Sequence, residues 1–266
     1  MRYEHILTGI FLSRPNRFIA HVEIKEKGES KTVICHVKNT GRCKELLIPG
    51  VQVVVQFHPE AAAAGRKTSY SLIGVYKIRE NLPPLLINMD SQAPNTAAFQ
   101  WLQNISLSVN EKGARGIPDG FSLPSDTCRI DKIKREVTWG QSRFDLAFQI
   151  IGKANGKETI TPAFMEVKGV TLESNGLAMF PDAPTIRGVK HMEELAKAVK
   201  EGYEAYILFV IQMKEIYGFQ SNDKTHPEFG RVLKEVCKSG VHVMAFDCQV
   251  GEDFMEIKNQ VPVLFP

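Results

Sequence analysis

Five short runs near the start of the chain alternate apolar and polar residues, and this pattern constrains the fold more than any other feature. A period of two residues is that of a β-strand with one buried face. Turn-rich stretches separate the runs, so they predict a small antiparallel barrel of about five strands. The runs are HILTGIFL, RFIAHVEI, KTVICHV, VQVVVQFH and YSLIGVYKI.

The segment between the third and fourth runs, GRCKELLIPG, predicts a single helical turn that Pro49 and Gly50 close. Five strands with a helix in that position fit the OB-fold, whose barrels bind oligonucleotides through a basic groove and exposed aromatic rings. Residues 1–90 carry 13 Lys and Arg against 8 Asp and Glu, a net charge of +5, whereas the remainder carries 20 against 22. We therefore expect a nucleic-acid-binding OB-fold domain over residues 1–90.

The basic residues of this domain are the candidates for phosphate contacts. An ordinary solvated surface is the alternative for a charge excess of this size. Phe18 or Tyr70 could stack on a base, although an aromatic residue in a strand, such as Phe18, more often belongs to the core. The candidate phosphate contacts are Arg14, Arg17, Arg42, Lys44, Arg66 and Lys67.

The elements after the barrel predict a domain of a different class. A helix over APNTAAFQWLQNISL and a polar stretch, NEKGARGIPDG, place the domain boundary between about residues 85 and 115. Three strands, a helix, the strongly apolar run AYILFVIQM, a second helix and a last strand follow. A strand buried on both faces and flanked by helices is typical of an α/β domain. We predict such a domain, with a central mixed sheet, over residues 91–266.

Two of these strands carry ionisable side chains that should converge. Asp145 in SRFDLAF points away from the apolar face of its strand, and Glu166 and Lys168 share one face of FMEVKGV. An Asn-Gly pair in the linker favours a hairpin that brings the two strands side by side. Asp145 and Glu166 are therefore candidate ligands for Mg²⁺ or Mn²⁺, and Lys168 would orient a water or stabilise charge on phosphorus. A simple ion pair between Glu166 and Lys168 is the alternative.

A helix is predicted from about Ile186 to Lys200, with Ile186, Val189, Leu195 and Val199 buried. Its opposite face supplies further candidates for phosphate contacts, and pairing of Glu194 with Lys190 or His191 in solvent is the alternative. Asp182 could join the metal site or cap the helix, and we expect capping. The candidate contacts on this helix are Arg187, Lys190 and His191, and Arg143, on the strand of Asp145, is a further one.

Several segments carry a resemblance to a known family. They are FLSRPNRFIAHV, KNTGRCKELLIPG, KREVTWGQSRFDLAF, FMEVKGVTL and FPDAPTIRGVKHMEEL, of which the last is the most specific. Together they resemble the sugar fermentation stimulation protein family, known as SfsA. Asp145, the Glu166-x-Lys168 pair and the following helix resemble the core of PD-(D/E)XK nucleases. The resemblance implies an OB-fold joined to a nuclease-like α/β domain, with catalytic roles for Asp145, Glu166 and Lys168.

From these observations we expect a Mg²⁺- or Mn²⁺-dependent nuclease that also binds DNA. A DNA-binding regulator of sugar-utilisation genes that does not cleave is the alternative, and RNA stays open as a substrate. The five cysteines are odd in number and lack C-x-x-C spacing, so neither a disulfide framework nor a zinc site is indicated. Because no apolar run is long enough to span a bilayer, we expect a cytoplasmic protein, and the oligomeric state stays open.

Overall fold

The computed structural model describes residues 1–39, 41, 43–154 and 157–265. The chain folds into two compact units. The first comprises Met1–Pro94 with Gln212–Lys214 and Cys248–Glu256. The second comprises Asn95–Ile211, Glu215–Asp247 and Ile257–Pro266.

The first unit is built on a closed β-barrel. Its strands are β1 (Ile6–Asn16), β2 (Ile19–Glu26), β3 (Glu29–Val37), β4 (Gln52–Phe57), β5 (Tyr70–Arg79) and β6 (Leu82–Asn88). Strand β1 pairs antiparallel with β2 and β4, β2 pairs with β3, and β4 pairs with β5. A short parallel pairing of β3 with β5 closes the ring. The predicted OB-fold barrel is confirmed, and β6 adds a further strand beside β5 that the sequence did not predict.

Alternation along the strands fills the inside of this barrel. Ala20, Val22 and Ile24 are the buried positions of β2, and the residues between them are half-buried. At Gly9 in β1 a Cβ atom would lie 2.6 Å from the backbone oxygen of Glu23 in β2. Only glycine therefore fits at this position of the β1–β2 pair. The predicted helical turn is present before β4, where the N–H of Leu47 donates to the carbonyl of Cys43 at 2.9 Å.

The second unit is an α/β structure around a mixed sheet. Its helices are α1 (Ala93–Lys112), α2 (Ile186–Lys200) and α3 (Pro227–Lys238). Its strands are β7 (Thr127–Trp139), β8 (Ser142–Ala154), β9 (Lys157–Val170), β10 (Leu172–Ser174), β11 (Leu177–Phe180), β12 (Glu204–Ile211), β13 (Gly218–Ser221), β14 (His242–Val250), β15 (Met255–Val261) and β16 (Val263–Leu264).

The main sheet has the order β15-β14-β12-β9-β8-β7. Strands β7, β8 and β9 run antiparallel, and β12 is parallel to both β9 and β14, so the predicted mixed sheet is confirmed. Strand β12 is the apolar run of the sequence and is buried along almost its whole length. Its Phe209 stacks on Phe219 with ring centroids 4.1 Å apart. Four short strands, β10, β11, β13 and β16, form a second sheet.

Helix α2 begins and ends where the sequence predicts, but the expectations about its cap and about which residues it buries are wrong in part. Thr185 caps the helix, since its hydroxyl accepts the N–H of Gly188 at 3.0 Å, and Asp182 does not. Of the four residues expected to be buried, Ile186 is 84% exposed and Val199 is half-buried. The buried stripe of the helix runs through Gly188, Met192 and Leu195, and Ile186 lies on the opposite side of it. Among the described residues, no helix combines the length and the apolar composition needed to cross a membrane.

Candidate functional site

Asp145 lies where two paired strands separate. The pairing of β8 with β9 ends at Leu146 and Met165, and Asp145 is the residue just before Leu146 in the chain. Beyond this point the side chain of Asp145 occupies the gap: its Oδ2 accepts the backbone N–H of Val167 at 2.8 Å. Its Oδ1 accepts from Nδ2 of Asn95, on α1, at 2.6 Å. Both carboxylate oxygens are therefore fixed in position by donors from different elements.

Glu166 is the most buried charged group of the site, with a side chain only 5% exposed. Its Oε1 lies 2.5 Å from Nζ of Lys168 and 2.5 Å from Nδ1 of His191. Its Oε2 is also buried, yet among the described residues it has no hydrogen-bond partner. A buried carboxylate oxygen without a donor is rare in folded proteins and indicates a missing ligand or a strained site. The orphan oxygen of Glu166 is thus a position where a bound cation would fit.

Arg187 and His191 extend this network outward along α2. Nε of Arg187 donates to Nε2 of His191 at 3.3 Å, so Nε2 acts as the acceptor. The proton of a neutral imidazole then sits on Nδ1, from which it is donated to Glu166. His191 is buried, and Arg187 is exposed. His191 consequently contacts Glu166 directly, whereas Arg187 reaches that carboxylate only through His191.

The pKa values of the two carboxyls move in opposite directions. Burial, and next the charge of Glu166, raise the pKa of Asp145, and the Val167 N–H, Lys168 and Asn95 only partly oppose this. For Glu166, burial also raises the pKa, but the hydrogen bond from His191 and the charge of Lys168 outweigh it, so the net shift is downward. Glu166 is therefore held as a carboxylate, while Asp145 carries its charge at a cost that a nearby cation would remove.

The donor set is sparse for a metal centre. Within the described parts of the chain, no group of three or more His, Cys, Asp and Glu side chains is arranged to hold a metal ion. A cation here would rest on Asp145 and Glu166 alone among the acidic side chains. That arrangement suits Mg²⁺, which is commonly bound through one or two carboxylates and completes its shell with waters and substrate phosphates. The oxygen-only donors also fit Mn²⁺ and Ca²⁺.

The other predicted contact residues of the second unit lie on exposed surface. Arg143 is exposed and is paired with Glu136. Lys190 is also exposed, with its Nζ 3.5 Å from Oε1 of Gln141. Of the four residues predicted here, only Arg187 and His191 are brought into the hydrogen-bond network of Glu166.

The predicted contacts of the barrel are dispersed. Arg14 donates to the backbone oxygens of Arg17 and Asn39, and the guanidinium of Arg17 lies over the ring of Phe18, which is 50% exposed. Arg66 donates to Ser71, and Tyr70 packs on Phe57 with ring centroids 5.1 Å apart. Two further candidates, Lys44 and Lys67, are exposed, and Arg42 lies outside the described residues.

Asn95 is the site residue that the sequence did not reveal. It lies 50 positions before Asp145, near the start of the predicted helix APNTAAFQWLQNISL. The signal for this contact is weak: an amide in the first turn of a helix packed on the sheet can reach a strand end. Nothing in the local pattern, however, distinguishes it from a helix cap.

Comparison with known proteins places the chain among relatives of one kind. Residues 110–254 match the model of the "Sugar fermentation stimulation protein RE domain", and residues 12–81 match the "SfsA N-terminal OB domain". A sugar fermentation stimulation protein homolog from Desulfitobacterium hafniense is 50% identical over 263 residues, covering 99% of this chain and 98% of the relative. Another from Ruminiclostridium cellulolyticum is 47% identical and covers 99% of both chains.

A solved structure is similar over almost the whole length. It is that of Pyrococcus furiosus SfsA in complex with Ca²⁺, with a TM-score of 0.70 and 26% sequence identity. The similarity covers 99% of this chain and 98% of that one.

Proposed function

The chain belongs to the sugar fermentation stimulation protein family, and from that premise we propose that it binds nucleic acid and hydrolyses phosphodiester bonds with a divalent cation. One observation carries the proposal. Glu166 presents a buried carboxylate oxygen that lacks a partner in the described chain, next to Asp145 and Lys168. Two carboxylates that can bind a divalent cation, beside a lysine ammonium, suit the hydrolysis of a phosphodiester, because the cation can polarise the phosphoryl group.

Asp145 and Glu166 are the residues that would hold the cation. The Ca²⁺ complex of the Pyrococcus furiosus protein supports a divalent ion in this family, and we propose Mg²⁺ or Mn²⁺ for this chain. When bound, such an ion acts as a Lewis acid that neutralises charge on the phosphoryl group. The orphan Oε2 of Glu166 would gain its missing partner, and the like-charge interaction that raises the pKa of Asp145 would be offset.

The residues of the chain have separable roles in this mechanism. Water attacks phosphorus, the bond to the leaving oxygen breaks, and the proton lost by the water is taken up by the leaving oxygen through solvent. Lys168 holds a positive charge beside Glu166, where it can orient the water or stabilise the charge that grows on the phosphoryl oxygens. His191 and Asn95 are positioning residues, because each fixes one carboxylate by a hydrogen bond.

We propose that the OB-fold domain, over residues 1–90, binds the nucleic acid. DNA is the proposed partner, and RNA is compared with it in the experiment described below. Basic and aromatic side chains supply contacts to the sugar-phosphate backbone and to bases, and Arg17 with the exposed Phe18 is one such pair. Because phosphate contacts carry no sequence information, this surface favours binding with little sequence preference.

A second candidate function is a regulator that binds DNA without cutting it. The observation that favours it is the engagement of three of the four carboxylate oxygens: both of Asp145 and Oε1 of Glu166 accept hydrogen bonds from the protein. A cation would then compete with these donors for lone pairs, although each carboxylate oxygen has two. The two candidates differ in a single measurable quantity, the metal-dependent cleavage of nucleic acid.

The deciding experiment incubates purified protein with labelled single- and double-stranded DNA and RNA, in Mg²⁺, Mn²⁺ or chelator. Glu166→Gln and Lys168→Ala are compared with Glu158→Gln and Lys157→Ala, matched changes at exposed positions of the same strand. We expect metal-dependent cleavage that the first pair abolishes and the second pair leaves intact. Binding without cleavage in every metal would instead support the regulator. Cleavage that survives both substitutions at the site would refute the assignment of these residues.

A further inference from the structure

The seam that closes the barrel gathers polar side chains around one buried hydroxyl. Strands β3 and β5 pair here in parallel, with His36 opposite Ser71. Ser71 is fully buried, and its Oγ lies 2.9 Å from Nε2 of His58 and 3.0 Å from Nη2 of Arg66. His58 follows the last residue of β4, and Arg66 lies in the loop between β4 and β5. Three segments of the chain thus meet at Ser71.

The charge at this seam is positive and poorly balanced. Four cationic or titratable groups belong to it, and we call them the seam cluster: His36, Lys38, His58 and Arg66. The charges of Lys38 and Arg66 act on both histidines. Within the described chain, the one carboxylate at ion-pairing distance of the cluster is Asp90, 3.0 Å from Nζ of Lys38. Of the two permanent cations, Lys38 and Arg66, it is Lys38 that pairs with this carboxylate.

The cluster is open to ligands. Arg66 is exposed, and the other three members are half-buried. The guanidinium of Arg66 uses Nη2 for Ser71 and Nε for the backbone oxygen of Thr68 at 3.4 Å. Its Nη1 has no partner in the part of the chain that the structure describes. A fork of guanidinium donors, a hydroxyl and imidazole N–H groups is a set that suits phosphate oxygens.

We propose that the seam cluster is a phosphate-binding site through which the barrel holds nucleic acid. The inference rests on the proposed function and deepens it, because it gives the barrel a defined contact formed by Arg66, His58, His36 and Lys38. The loop between β4 and β5 is one of the two loops with which OB-fold barrels contact oligonucleotides, and it carries Arg66. A phosphate group can come from the interior of a strand, from a 5′ end or from free phosphate, and these sources share the recognising chemistry.

The two histidines make this site sensitive to pH. Burial, and then the charges of Arg66 and Lys38, lower the pKa of His58; the same causes lower that of His36, with Asp90 opposing. A bound phosphate would offset the neighbouring positive charge and raise both pKa values. Binding therefore takes up protons, and affinity rises as the pH falls toward the range in which the histidines become charged.

The test measures binding in chelator, so that cleavage plays no part. Fluorescence anisotropy follows a single-stranded DNA oligonucleotide with and without a 5′-phosphate, and inorganic phosphate is titrated as a competitor. Arg66→Gln and His58→Gln are compared with Lys31→Gln, which removes an exposed charge from the far end of β3. We expect Arg66→Gln to weaken binding about tenfold, as for one charge-assisted hydrogen bond. The salt slope should fall by about 0.7.

A direct readout of the site comes from NMR. Inorganic phosphate should shift the Cε1–H resonances of His36 and His58 and leave that of His5, an exposed residue, in place. Higher affinity for the oligonucleotide with the 5′-phosphate would identify a strand end as the source of the bound phosphate. Equal affinity for both oligonucleotides would identify the interior phosphates. If inorganic phosphate displaces the labelled oligonucleotide at concentrations as low as unlabelled oligonucleotide does, the free ion would be the ligand of the site.

Equal losses from Arg66→Gln and Lys31→Gln, or histidine resonances that phosphate does not move, would overturn the inference. This failure is distinguishable from a failure of the proposed function. A protein that binds phosphate at the seam but never cleaves would refute the nuclease alone. A protein that cleaves but treats the Arg66 and Lys31 variants alike would refute the seam cluster alone.

Discussion

Replacement of Asp145 by asparagine should separate the metal response of the site from the stability of the fold. Asparagine has the shape of aspartate, and its amide oxygen can still accept the N–H of Val167. The amide of Asn95 can rotate so that its oxygen faces the new NH₂ group, which restores the second hydrogen bond. Asp145→Asn therefore removes a charge and changes little else.

In chelator, we expect this variant to be more stable than the wild type at neutral pH. The pKa of Asp145 is raised above its ordinary value of 3.8 by burial and by Glu166. A carboxyl with a higher pKa in the folded state makes stability decline as the pH rises from the unfolded value through the folded one. The variant escapes this decline, and the gain in free energy of unfolding should be on the order of 1 kcal/mol, since solvent screens part of the interaction. Below the unfolded pKa the difference should vanish.

The metal response should change in the opposite sense. At a cation concentration of about 100 times Kd, binding stabilises the wild type by about 2.7 kcal/mol. The second unit contains about 160 residues. At about 2.1 cal/mol/K per residue, its entropy of unfolding is about 0.34 kcal/mol/K. The cation should thus raise the Tm of this unit by about 8 °C in the wild type, and by far less in Asp145→Asn.

Differential scanning calorimetry in chelator and in Mn²⁺ tests both parts, after calorimetric titration has given Kd for the wild type. The matched control is Glu158→Gln, an exposed carboxylate on β9 that should respond to Mn²⁺ as the wild type does. An unchanged Mn²⁺ shift in Asp145→Asn would show that the cation does not contact this residue. A variant that is clearly less stable than the wild type in chelator would show that the carboxylate has a structural role, contrary to the reasoning from its pKa.

Four further outcomes are expected. Lys168→Gln should lower the cleavage rate about 10²- to 10³-fold without a comparable loss of cation affinity, and equal losses of both would contradict its role at the phosphoryl group. His191→Ala should weaken cation binding about 10- to 100-fold in calorimetric titration, because Glu166 loses a fixing donor; unchanged affinity would exclude that role. Phe209→Ala should cost about 3–5 kcal/mol in urea denaturation, since its ring is fully buried, and a loss under about 1 kcal/mol would refute the packing. Affinity for single-stranded DNA should fall with salt by a slope of about 0.7 per phosphate contacted, and a flat response would argue against backbone contacts.

The sequence predicted the parts of the structure in which one periodicity dominates. A period of two located strands such as β2, in which buried and half-buried residues alternate. Strands β4 and β5 instead contain runs of consecutive buried residues. The same period along β8 and β9 predicted that Asp145, Glu166 and Lys168 lie close together, which the hydrogen bonds and charges of the site agree with. Strands of two to four residues, such as β10 and β16, are too short to show a period, so the second sheet escaped prediction.

In helix α2, the distribution of hydrophobic residues does not predict correctly which face is buried, because polar residues of the candidate site are buried too. Its buried stripe includes His191 and Glu194, which the sequence placed on the solvent face. Each is buried because it has a partner: Glu166 for His191, and Lys197 for Glu194. A buried polar residue with a satisfied hydrogen bond costs little, but its partner lies in a different segment and cannot be seen in a local pattern. Asn95 was missed for the same reason.

Each unit has a local excess of charge. The excess is positive in the first unit, where a phosphate would offset it, and negative in the second, where a cation would offset it. In the first unit, the seam cluster contains two permanent cations, of which Lys38 pairs with Asp90. Burial and these positive charges lower the pKa values of the two histidines of the cluster. In the second, the carboxylates of Asp145 and Glu166 disfavour each other's charge. Neither imbalance stabilises the empty protein, and a core of apolar side chains would fill either place at lower cost. The proposed ligands would restore the balance at both places, and the free energy that the empty chain lacks would then add to the affinity for phosphate and for a divalent ion.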